Sequence, residues 1–88
     1  MPYIEKGSRK NIEGEASPVV ANLYDYTVGD LNYLFTRIMQ ERLKSQGGPS
    51  YAQYNALVGM LECVKMEMYR RAVAPYEDKK IQENGDVY

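Results

Sequence analysis

Two helix-length stretches meet across Gly47-Gly48-Pro49-Ser50, and no other part of the sequence constrains the fold as much. On the N-terminal side, Leu31, Leu34, Phe35, Ile38 and Leu43 recur at helical spacing. Thr27-Val28-Gly29-Asp30 stands before them as a capping box, with Asp in place of the usual Glu or Gln. This predicts a helix running to about Gln46. It ends at glycine, which suits a left-handed C-terminal residue, and at a proline that cannot continue the ladder. On the other side Ser50-Tyr51-Ala52-Gln53 is a second capping box, closer to the preferred composition. The next helix is predicted from Tyr51 to about Val73, with Tyr54, Leu57, Val58, Leu61, Val64, Met68 and Ala72 along one stripe. A connection this short between two long helices predicts an antiparallel hairpin, hence an all-α fold.

The remaining segments are shorter. Residues 1–15 mix charges with Gly7 and Gly14 and hold no sustained period, so a flexible or extended arm is expected, with Tyr3 and Ile4 as its anchor. Ser17-Pro18 reads as an N-cap followed by proline at the first helical position. A helix of two to three turns carrying Val19, Val20, Leu23 and Tyr24 would follow. Pro75 is expected to begin a short C-terminal helix stopped by Asn84-Gly85, leaving 86–88 extended.

At 88 residues the chain is one domain near the lower size limit for a self-sufficient core. Domains this small lean on disulfides, metals or oligomerisation. Cys63 is the only cysteine, so no internal disulfide can form, and there is no histidine to serve as a zinc ligand or near-neutral base. Oligomerisation is the supplement left. Met39, Met60, Met66, Tyr33 and Tyr69 fall off the main stripes, and two hairpins packing as a four-helix bundle would cover part of them. A monomeric bundle is the alternative, since scattered apolar surface residues are normal. Asn32 and Asn55 sit at or beside the stripes and could fix register between chains or touch a ligand. Gly59 in mid-helix costs about 1 kcal/mol against alanine, which points to a close helix approach there.

The net charge of −1 argues against coating a long nucleic acid. No apolar run approaches a membrane span, and MPYIEKGSRK lacks a signal-peptide core, so a cytoplasmic protein is expected. Nine tyrosines against one phenylalanine and no tryptophan suit interfaces and ligand pockets.

Candidate chemistry is sparse. Glu62 and Glu67 are five apart and point about 140° from each other on a helix. With Glu41 they make a poor carboxylate metal set, and Glu62 is expected to pair with Lys65 instead. Cys63 lies between Glu62 and Val64 and reads as a packed, structural cysteine. Neither a metal, a cofactor nor a catalytic set is predicted, so the chain reads as a non-enzyme. One constellation remains: Tyr69, Arg70 and Arg71 close the long helix, and Tyr76, Lys79 and Lys80 follow within one short turn. Arginine forks hold phosphate and tyrosine faces stack on bases, so these six residues are the candidate ligand site. Lys6, Arg9 and Tyr3 could complete its rim. Against this, cations at a helix C-terminus offset the macrodipole, and Glu67, Glu77 and Asp78 stand near enough to neutralise them.

The runs LNY and TR (31–37), then GMLECVKMEMYRR, then PYEDKKIQENGDVY, together with the MPYI start, resemble a family of small phage and bacterial proteins described as a domain of unknown function. The likeness covers the chain from residue 29 onward and the first four residues. It implies a phage or mobile-element context, in the cytoplasm of an infected or lysogenic bacterium, and a helical hairpin. It implies no catalytic residue, and it leaves the segment from Lys6 to Val28 without a role.

Two functional expectations follow. The first is an oligomeric binding protein that captures a phosphate-bearing small molecule, such as a nucleotide immune signal, and so counters host defence. The alternative is a protein–protein interaction module that binds a host or phage protein through a face rich in tyrosine and methionine. They are told apart by whether the basic cluster is neutralised within the chain.

Overall fold

The computed structural model describes residues 2–45 and 47–88. It is all-helical, with no strand among the described residues. In chain order it has α1 (Lys6–Ala21), a 3₁₀ turn (Leu23–Asp25), α2 (Val28–Ser45), α3 (Tyr51–Met68), a π-helical turn (Tyr69–Val73) and α4 (Ala74–Asn84). The chain divides into two compact units, Pro2–Asn55 and Ala56–Tyr88, each considered by itself below.

In the first unit the expected arm is a helix from Lys6 onward. Its ladder starts with the Arg9 N–H donating to Glu5 O at 3.0 Å, and the Arg9 Nε–H holds Ile4 O at 2.7 Å. Lys, Arg, Glu and Ala in this stretch are good helix formers, and they outweigh Gly7 and Gly14. The proposed start at Ser17-Pro18 is also corrected, because Pro18 lies inside α1. There it removes the donor to the Gly14 carbonyl, so the helix stops one turn later. The Asn22 side chain closes that end, its Nδ2–H donating to Pro18 O at 2.8 Å. Leu23 and Tyr24 consequently fall in the 3₁₀ turn and not on a helical face.

The Thr27–Asp30 capping box is complete. Asp30 N–H donates to Thr27 Oγ1 at 3.1 Å, and Thr27 N–H donates to Asp30 Oδ2 at 2.9 Å. A shorter carboxylate therefore closes the box as well as Glu would. Along α2, Leu31, Leu34 and Leu43 are half-buried, while Phe35 and Ile38 stay 52% and 47% exposed. Met39, expected off the stripe, is half-buried. The predicted end of this helix at Gln46 lies outside the described residues. Gly47 and Gly48 both take positive φ, 83° and 105°, a conformation that side-chain-bearing residues rarely adopt. At the head of α3 the Gln53 N–H donates to Ser50 Oγ at 3.2 Å, the expected N-cap bond.

In the second unit α4 starts at Ala74 with Pro75 in its first turn, as expected, but it follows α3 without a gap. Met68, Val73 and Ala74 all keep right-handed helical dihedrals. The ladder widens to one π turn, in which the Ala74 N–H reaches Tyr69 O, five residues back. Proline has no N–H and its ring crowds the carbonyl four residues earlier, here that of Arg71. A widened turn accommodates both without ending the helix. The stop at the far end is as predicted: Gly85 has φ 89°, and its N–H donates to Ile81 O at 2.8 Å.

No described side chain is fully buried. Tyr54, Val58, Leu61, Val64 and Met68 of the predicted α3 stripe are all exposed, from 39% at Leu61 to 66% at Val58. Only Leu57 among its large apolar members is half-buried.

Candidate functional site

The six candidate residues lie on the π turn and α4, all within the second unit. Tyr69, Arg70 and Arg71 occupy the π turn itself. Such single turns recur at functional sites because they re-aim side chains out of the regular helical register. Tyr69 and Arg70 line a shallow depression of about 480 Å³ together with Lys65 and Met66. Those two residues were absent from the sequence-based set. The signal was available, since 65 and 69, and 66 and 70, are each four apart and share a helix face.

The other residues sit further along. Lys80 Nζ lies 5.6 Å from the centre of the Tyr76 ring, a cation–π contact, and is 3.2 Å from Glu83. Lys79 and Arg71 make no ion pair among the described residues. The helix thus carries a Lys65–Met66–Tyr69–Arg70 group and a Tyr76–Lys80 pair. A π turn inserts one residue relative to an α ladder. Side chains beyond it are therefore rotated by about 100° from where a regular helix would put them. Tyr69 and Tyr76, seven apart, would share a face in an unbroken α-helix and are displaced from it here.

Electrostatically the group is largely balanced. Arg70 is held by Glu67 at 2.6 Å, and Glu67 is the half-buried member of that pair. Lys65 is held by Glu62 at 2.8 Å, the local pairing expected for Glu62. From Glu62 to Glu83 there are five cations (Lys65, Arg70, Arg71, Lys79, Lys80) and five acids (Glu62, Glu67, Glu77, Asp78, Glu83), a net charge of zero. Arg71 and Lys79 are the cations left for a ligand or partner.

Two further depressions lie in the first unit. One, about 350 Å³, is lined by Tyr26, Asp30, Tyr33, Leu34 and Arg37. The other, about 460 Å³, is lined by Arg37, Gln40, Leu43, Lys44, Pro49 and Tyr54. Their shared Arg37 is tied to Gln40 and Glu41, both at 2.9 Å. Lys44 and Arg37 together hold the Glu41 carboxyl below its ordinary value of 4.5, Lys44 having the larger effect.

Cys63 is exposed and not packed as its apolar neighbours suggested. Asn32 and Asn55 are exposed as well. Among the described residues no cluster of three His, Cys, Asp or Glu groups could hold a metal ion, and no helix is long and apolar enough to cross a membrane.

A family model described as a domain of unknown function (DUF6899) matches residues 1–87. No curated protein and no solved structure is significantly similar to the chain.

Proposed function

Since the chain belongs to the DUF6899 family, a domain of unknown function, we propose from its own chemistry that it is a non-enzymatic interaction module. Its helices complete their packing on protein, first of all on another copy of themselves. The observation that carries this is the exposure of nearly every large apolar side chain. Phe35, Ile38, Tyr54, Val58, Val64, Met66 and Met68 all lie between 47% and 66% exposed, and no described side chain is buried. A chain of this size without a disulfide cannot remain folded with its apolar stripes in water. In this reading α2 and α3 pair as an antiparallel hairpin, and hairpins associate into a bundle. The balanced charge around the π turn favours protein contact over capture of an anion. Sedimentation equilibrium tests it. The reading requires a mass of at least two 10.1 kDa chains, and a monomer at micromolar concentration would refute it.

A second reading, capture of a phosphate-bearing small molecule such as a nucleotide, is favoured by one observation. Arg71 and Lys79 remain without ion-pair partners among the described residues, and the rings of Tyr69 and Tyr76 are exposed. A thermal-shift screen against mono-, di- and cyclic nucleotides decides it. Saturating ligand at about a hundred times its Kd adds about 2.7 kcal/mol. That shift should vanish in the Arg70→Ala, Arg71→Ala double variant. No shift with any nucleotide leaves the interaction module alone.

A further inference from the structure

We infer that the face of α3 centred on Gly59 is where a second copy of this chain packs, the two α3 helices crossing antiparallel about a two-fold axis near that residue. This rests on the reading that the chain self-associates, and it specifies where.

From Gln46 to Leu61 the sequence carries no charged residue. Unlike α2, whose apolar residues gather on one side, α3 spreads them nearly all round. A helix apolar on every side is covered on more than one. At about 100° per residue, Tyr54, Leu57, Leu61 and Val64 form one face, and Gly59 lies about half a turn away from it. Asn55, Cys63 and Met66 lie within about 40° of Gly59, with Ala56 and Glu62 about 60° away on either side. The α2 stripe can cover one side of α3 only.

The other elements have little to offer the second side. α1 brings Ile12, Val19 and Val20, and α4 brings Tyr76 and Ile81, both among many charges. The surface that matches a charge-free helix in length and polarity is another α3. An isologous pairing sets each surface against itself, so the charge-free centre of this face meets no like charge, and Glu62 stands at its margin. Centred on Gly59, such a pairing places Glu62 opposite residue 56 of the other copy. The two Glu62 side chains then stand about 9 Å apart along the axis.

Gly59 also fits the role. A Cβ added there meets nothing within 4 Å among the described residues, so none of their contacts accounts for a glycine in mid-helix. Close approach of a second backbone does.

The test uses the full chain. Gly59→Leu should weaken association at least tenfold in sedimentation equilibrium, with helix content by circular dichroism unchanged at concentrations where the variant is still associated. Independently, Gly59→Cys in a Cys63→Ser background should give a reducible disulfide dimer under mild oxidation, because residues at the two-fold come within disulfide range. If Gly59→Leu loses helix, the cross-linking variant decides. Unchanged association together with no cross-link would overturn this interface while leaving self-association intact. A monomeric wild-type chain would overturn self-association itself.

Discussion

Thr27 and Asp30 illustrate how much structure two short side chains can fix. Their reciprocal bonds satisfy two backbone donors at the start of α2, one of them the Asp30 N–H that has no partner within the helix. Thr27→Ala should therefore destabilise α2 by about 1 kcal/mol, read as a lower urea midpoint. Thr27→Ser should retain most of the stability. A different single-residue effect is expected at Glu41, where Lys44 and then Arg37 favour the ionised carboxylate. Because its folded-state pKa is depressed, the stabilisation is present above the ordinary value of 4.5 and is lost as the pH falls through the lower folded value. An NMR titration of the Glu41 carboxyl should show a midpoint below 4.5, moving back toward it in Lys44→Met. An unshifted midpoint in the wild-type chain would remove the triad from the account.

Among the elements, those with strong local chemistry were legible in the sequence. The α2 start, the double-glycine connection, the α3 cap and the Gly85 stop follow from cap and turn residues whose bonds reach only a few positions. Of the two prolines read as helix starts, Pro18 misled and Pro75 did not. At Ser17-Pro18 the N-cap pattern competes with a ladder already running from Lys6, and the ladder prevails. At Pro75 the expected new helix does begin, and one Ala74-to-Tyr69 bond joins it to α3 through a π turn. The candidate site was legible as a list of residue types but not as an arrangement. The π turn that reorients Tyr69 and Arg70 has no signature short of the proline itself, and Lys65 and Met66 entered only through their helical spacing to 69 and 70. Pro75→Ala restores the missing donor. It should convert residues 69–73 to regular α-helix and stabilise this stretch by up to about 3 kcal/mol. It should also rotate α4 relative to α3. Amide exchange protection across 73–77 would report it, and unchanged protection would show that the π turn has another cause. Pro18→Ala should act in the same direction, raising helix content at the end of α1 without touching the second unit.

For the whole molecule the decisive quantity is how apolar surface is covered. In the proposed reading, an 88-residue chain with no buried side chain among its described residues gains the missing burial by association. Folding and assembly are then one equilibrium, and stability depends on protomer concentration. The melting temperature by circular dichroism at 222 nm, followed over about a hundredfold range of chain concentration, tests this most directly. Mass action predicts a steady rise in melting temperature with concentration. A cooperative transition at the same temperature throughout that range would contradict it, and would make the chain a self-sufficient monomer.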